Sequence, residues 1–203
     1  MTIMRRRTAL LALSFAAMSL LTGLGVMETV DRWGLVISDA IASCPVDRMA
    51  SVFSFLGNIE VTGLIALILS VMGWWRHGVG GLVPLLLFAG VAIEIAMKYF
   101  LLRLPPHPVS RCSWNLAFLH PSAFLALHYS FPSGHMLRTT FLAVLIGGQV
   151  NRYRTAGHAF IVAMAVTRVY LDEHWISDVI GGLLLGLTLA AVAAALNPPR
   201  CSA

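Results

Sequence analysis

Charge is what this chain has least of. Asp, Glu, Lys and Arg make up 11% of its 203 residues, whereas 58% are hydrophobic and the mean hydropathy is +0.82. Ordinary soluble domains carry about 25% charged residues, so this composition argues for the bilayer. No repeat or low-complexity tract stands out, and three cysteines are uninformative by count. What the chain does have is six apolar runs, at about 8–27, 58–75, 79–97, 133–150, 157–171 and 176–196. A helix needs roughly 20 apolar residues to cross the hydrocarbon, with about 17 as a lower limit. The fifth run is short by that rule, so its ends should take in Arg168 and the residues just beyond it. The expectation is an all-α integral membrane bundle of six transmembrane helices, a single domain over 1–203 with no room for a soluble one.

The first run follows Arg5, Arg6 and Arg7 as a secretory signal would, but it is long and no small-x-small cleavage site precedes Glu28. It therefore reads as a retained helix. Residues 28–57, around Pro45, read as an interfacial helix plus a turn. Between the third and fourth runs, Pro105, Pro106, Pro108 and Pro121 disfavour a continuous helix. His107, His120, His128 and Trp114 in the same stretch suit a loop at headgroup level, where aromatics are enriched. The other connections are short, so neighbouring helices should run antiparallel.

Orientation follows from the positive-inside rule. With Arg5, Arg6 and Arg7 cytoplasmic, the turns holding Arg76-His77 and Arg152-Tyr153-Arg154 and the tail with Arg200 fall inside as well. Both termini are then cytoplasmic in an inner (plasma) membrane. Lys98, Arg103, Arg111, Arg138 and Arg168 fall on the opposite, periplasmic or outer, face. Cations against the bias need a reason, and a bound phosphate supplies one. The pI of about 9.6 thus reads as membrane orientation plus an anion site, not as nucleic-acid binding. Cys44 and Cys112 share the outer side and Cys201 lies inside; free thiols and a Cys44–Cys112 disulfide both remain open, because sequence does not fix their distance.

Ionisable residues at the ends of membrane-length runs are costly and usually mark function. Two groups of them stand out. In Pro132-Ser133-Gly134-His135 the serine is a natural N-cap for the apolar helix that follows. The first N–H groups of that helix would point at an anion, which Gly134 lets approach and beside which His135 could move a proton. The plainer reading is a proline-capped helix start with an interfacial histidine. Downstream, His174 and Asp178 are four residues apart and on a helix would share one face. The aspartate would hold one imidazole nitrogen and leave the other free to attack. Arg168 offers a planar fork of donors for phosphate oxygens. The alternative is an ordinary His–Asp pair and a snorkelling arginine. Lys98, alone, reads as a snorkelling lysine at a helix end.

Together these residues resemble the signatures of the type 2 phosphatidic acid phosphatase superfamily. Pro132-Ser133-Gly134-His135 is similar to its second signature, and Thr167-Arg168, five residues, His174, three residues and Asp178 to its third, with threonine for the usual serine. The first, a lysine, six residues and Arg-Pro, is imperfect: Pro105 stands where the arginine belongs and Arg103 sits two residues early. The resemblance implies that His174 is a nucleophile forming a phosphohistidine, held by Asp178, and that His135 protonates the leaving group and then activates water. Lys98, Arg168, Ser133, Gly134 and Arg103, as stand-in for the missing arginine, would hold the phosphoryl oxygens. It implies neither metal nor other cofactor, and a membrane lipid phosphate as substrate at the outer face. Undecaprenyl diphosphate is the first expectation, followed by phosphatidic acid, phosphatidylglycerol phosphate and lipid A phosphates. A lipid phosphotransferase, or a headgroup-binding or transport protein without chemistry, remains open, as does the oligomeric state. Asp172 and Glu173, just before His174, fit less easily; they could pair with Arg138 or Arg111, select a cationic headgroup, or be a solvated pair at a loop tip.

Overall fold

The computed structural model describes residues 2–106, 112–114 and 129–197. His107, Pro108, Arg111, His120, Pro121, His128, Arg200 and Cys201 lie outside them. Among the described residues there are eight α-helices and no strand: α1 (Thr2–Gly23), α2 (Glu28–Ala40), α3 (Cys44–Phe55), α4 (Ile59–His77), α5 (Leu86–Leu101), α6 (Gly134–Gln149), α7 (Arg154–Tyr170) and α8 (Ile176–Leu196). Short 3-10 segments, Gly78–Leu85 and Asn151–Tyr153, precede α5 and α7.

The sixth apolar run coincides with α8, but two other expectations are corrected. Residues 28–57 form two helices rather than one helix and a turn. α2 buries Asp31, Gly34 and Ser38, and α3 buries Asp47, Ala50, Ser51 and Ser54. These sets repeat at helical spacing, so each helix turns a stripe of small and acidic residues inward. The third run starts as a 3-10 segment, because Gly73 of α4 and Gly81 meet backbone to backbone: a Cβ on Gly81 would lie 2.0 Å from the Gly73 carbonyl carbon. Of the six expected spans, length and apolarity alone qualify two helical stretches among the described residues, Cys44–Leu101 and Ile176–Leu196, and a third if α1 and α2, bent by 83°, count as one. α6 and α7, at 16 and 17 residues, fall short. At about 1.5 Å per residue they reach roughly 24–26 Å, less than a hydrocarbon core of about 30 Å.

α6 is central, packing against α4, α5, α7 and α8. Leu137, Phe141 and Leu142 of α6 meet Leu87, Leu185, Leu189 and Ala66 in the main core cluster. The closest seam is with α8. A Cβ on Gly182 would lie 2.3 Å from the Ser133 carbonyl oxygen, and one on Gly186 2.6 Å from that of Leu137. Small residues let helix backbones approach in this way. The seam sets the N-terminal ends of α6 and α8 side by side, where the Ser133 N–H donates to the Asp178 carbonyl oxygen at 3.0 Å. At the other end of α8, Asn197 Nδ2 donates to the Gly80 carbonyl oxygen at 3.3 Å.

A Cys44–Cys112 disulfide joins α3 to the long connection, with Cα atoms 5.0 Å apart, and so decides between the two thiol states left open by sequence. Beside it, the Cys112 N–H donates to Asp47 Oδ2 at 3.1 Å and the Trp114 N–H to Ser51 Oγ at 3.0 Å.

Gly182→Ala tests the seam. Its Cβ would meet main chain, which cannot rotate away, so the helices must part. We expect a loss of roughly 1–3 kcal/mol, the cost of overpacking, read as a lower Tm in detergent and reduced turnover. An unchanged Tm would show that the two helices do not depend on this contact.

Candidate functional site

The site is assembled where four helix ends meet: the C-terminal ends of α5 and α7 and the N-terminal ends of α6 and α8. Ser133 occupies the N-cap position of α6 with extended backbone, but its hydroxyl makes no capping bond. Ser133 Oγ is instead buried with no hydrogen-bond partner. Gly134 is required by close approach: a Cβ there would lie 2.2 Å from a carboxylate oxygen of Glu94. His135 Nε2 is 2.7 Å from Asn58 Oδ1. An amide oxygen only accepts, so this contact favours the tautomer with the proton on Nε2 and a free lone pair on Nδ1. His135 also lies within electrostatic reach of Arg168, Arg138, His174 and Lys98.

His174 and Asp178 come together differently from the one-helix-face expectation. His174 precedes α8, in the turn before Ile176, and Asp178 is in the first turn of that helix. Asp178 Oδ2 accepts the Trp175 N–H at 2.9 Å in a capping arrangement, and the same oxygen lies 3.5 Å from His174 Nδ1. That distance is within ion-pair range, but the pair lacks hydrogen-bond alignment, and Nδ1 is otherwise without a partner. Burial pushes the His174 imidazole below its ordinary value; Asp178 pulls it back, while Arg168 and Lys98 add to the downward push. The ring therefore stays neutral to more acidic pH than a free histidine.

The cations are all engaged. Lys98 Nζ is 3.1 Å from Glu94 Oε1, and Arg138 Nη1 donates to Glu94 Oε2 at 3.0 Å, so one buried carboxylate serves two cations. Lys98 is thus buried rather than snorkelling. Arg138 also donates to the Gly57 carbonyl oxygen. Arg168 donates through Nη1 to Ser54 Oγ and through Nη2 to Glu173, while its Nε is buried without a partner. Arg103 donates to Asp31, Ser177 and Asp178, and its guanidinium lies 5.4 Å from the centre of the Trp175 ring. Pairing of this kind is what a low-dielectric interior demands, since an unpaired buried charge costs several kcal/mol.

Asp172 and Glu173 separate. Asp172, at φ 53, accepts the Ser38 hydroxyl at 2.6 Å and ties the loop to α2, whereas Glu173 pairs with Arg168 rather than with Arg138. Sequence reasoning missed Asp31, Ser54, Asn58, Glu94 and Ser177. Glu94 could have been found from its i,i+4 spacing to Lys98, and Asp31 as an acid facing inward from an amphipathic helix. Among the described residues no group of three or more His, Cys, Asp or Glu could hold a metal ion.

Comparison with known proteins identifies the family and the fold. Residues 79–200 match the family model described as the PAP2 superfamily. Two curated relatives, both "Decaprenylphosphoryl-5-phosphoribose phosphatase" from Mycobacterium tuberculosis (strains CDC 1551 / Oshkosh and ATCC 25618 / H37Rv), are each 28% identical over 178 residues, 81% of this chain and 91% of theirs. The crystal structure of a transmembrane PAP2 type phosphatidylglycerolphosphate phosphatase from Bacillus subtilis superposes with a TM-score of 0.78 at 18% identity, covering 96% of this chain and 98% of that one. At that identity the likeness speaks to the fold.

A pH profile tests the His174–Asp178 pair. Activity should fall on the acid side as His174 gains a proton, with the limb below 6.5, the ordinary imidazole value. Asp178→Asn removes the charge that favours the imidazolium, so the limb should move to still lower pH while kcat drops by up to about 10⁴-fold, in the manner of misoriented catalytic histidines. A limb that stays in place in the variant would uncouple Asp178 from His174.

Proposed function

Because the chain belongs to the PAP2 superfamily and is a phosphatase, we propose that it removes the terminal phosphate of a membrane lipid through a phosphohistidine at the outer face. On this reading residues 1–203 form one six-span membrane domain with both termini cytoplasmic, in which the short α6 and α7 cross as part of the bundle.

The observation that carries the reading is a set of two buried polar atoms without partners, one from each of two signature segments: Ser133 Oγ and Arg168 Nε. Buried polar groups are nearly always satisfied, so such a cluster at a helix N-terminus lined by cations suits an oxyanion. His174 Nε2 attacks phosphorus as the bond to the lipid oxygen breaks, and His135, entering with a proton on Nδ1 as well as on the Nε2 held by Asn58, gives the Nδ1 proton to the leaving oxygen. Water then attacks the phosphohistidine, giving its proton back to His135, and phosphate departs. Lys98, Arg168, Ser133 and the Gly134 N–H would hold the equatorial oxygens and stabilise the charge that develops on them. No step in this scheme calls on a metal or other cofactor.

For the substrate, undecaprenyl diphosphate is the leading choice. The relatives' names, one a decaprenylphosphoryl phosphoribose and one a phosphatidylglycerolphosphate phosphatase, keep polyprenyl and glycerolipid phosphates both in view. Arg103 enters as a positioning residue more than as a clamp, since its donors lie on Asp31, Ser177 and Asp178.

Purified protein in detergent with excess chelator should release orthophosphate from one member of a panel of polyprenyl diphosphates, phosphatidic acid and phosphatidylglycerol phosphate. His174→Ala should cut that release at least about 10³-fold, as removal of a nucleophile does. Binding without release, or full turnover by His174→Ala, would favour a headgroup-binding protein or another mechanism. In the same assay Arg168→Ala should raise KM and lower kcat together, since it holds the phosphate in both ground and transition states. Arg103→Ala should lower kcat by about 10–100-fold with little change in KM, the pattern of a lost transition-state interaction. Equal KM increases in the two variants would return Arg103 to the phosphate clamp.

A further inference from the structure

The carboxylates that neutralise the site cations are not equivalent. Asp31, Glu94 and Asp178 are buried, each fixed by at least two partners. Glu173 differs: its side chain is 46% exposed while that of its partner Arg168 is 3% exposed. It sits at the rim, one residue before the nucleophile of the proposed reaction, and reaches inward to a single guanidinium nitrogen. Arg168 is held from the other side by Ser54, so the guanidinium stays in place whether or not Glu173 is on it. Its Nε, buried and partnerless, leaves the planar fork incompletely used. A phosphoryl group, with three oxygens in tetrahedral array, can use Nε and Nη2 together, as one rim carboxylate does not here.

We propose that Glu173 is an internal ligand of the phosphate site: its carboxylate holds the Arg168 Nη2 position and gives it up to the substrate's phosphoryl oxygen. Lys98 and Arg138 keep Glu94 throughout, because that carboxylate is buried against Gly134 and has no solvent to move into. Glu173 can swing into water at little desolvation cost. Two consequences follow for specificity. The anion must out-compete a carboxylate for Arg168, which favours a doubly charged terminal phosphate over a singly charged diester. Once displaced, Glu173 remains at the rim as a negative charge facing whatever the phosphate is attached to. This inference rests on the phosphate-site reading above, and it assigns Glu173 the opposite sign of effect from a residue that merely positions Arg168.

Orthovanadate binding to the purified full-length protein in detergent, measured by titration calorimetry, separates the possibilities without needing the natural lipid. Wild type should bind, Arg168→Ala should lose most of the affinity, and Glu173→Gln and Glu173→Ala should each bind about tenfold more tightly than wild type. Unchanged or weaker binding by both Glu173 variants, with wild type binding and Arg168→Ala impaired, would overturn the Glu173 assignment and leave the phosphate site standing. No binding by wild type, or equal binding by Arg168→Ala, would overturn the phosphate site and the inference with it.

Discussion

A charge moved out of water into a helical bundle must meet an opposite charge or several donors, and this constraint organises the end of the molecule that holds the candidate site. Four cations converge there, and each is met: Lys98 and Arg138 by Glu94, Arg103 by Asp31 and Asp178, and Arg168 by Glu173. The arrangement explains why acidic residues occur inside otherwise apolar helices. It also explains why α2 and α3, whose inward stripes are small and acidic, pack against α7 near this end instead of forming a greasy core. The apolar cluster around Leu137, Phe141 and Leu189 supplies the burial that holds the charged end together.

The helix-to-helix geometry has its own cause. Gly182 and Gly186 let α8 lie against α6 closely enough for main chain to touch main chain, and the hydrogen bond between the Ser133 N–H and the Asp178 carbonyl oxygen fixes their register. His135 and His174 thus come from segments 39 positions apart in sequence, yet their electrostatic environments overlap. Their neighbours differ: an amide oxygen lies beside His135 and a carboxylate beside His174.

Much of this was legible in the sequence, and the parts that were not share a physical reason. The all-helical class, the end of α8 and the two sharp motifs follow from hydropathy and spacing, which are local properties. Local reasoning failed where a segment is apolar but its backbone is not α-helical, as at Gly78–Leu85, where glycine contact dictates the geometry. It also failed for partners drawn from distant segments. Nothing near Arg103 announces that Asp31 and Ser177 will receive its donors, and nothing near His135 announces Asn58. The His174–Asp178 spacing led to the right pair for an incomplete reason, since the contact arises from a helix cap rather than from two turns of one helix.

Asp31, Ser54 and Asn58 all precede residue 79, where the match to the family begins, yet they touch Arg103, Arg168 and His135. The signatures are therefore held by a scaffold that the signatures do not define. Substitutions in the N-terminal third can retune orientation and charge around the reacting groups while every motif residue stays constant. Two chains with identical signatures can accordingly differ in rate or preference, and the difference would have to be sought in helices that motif searches pass over.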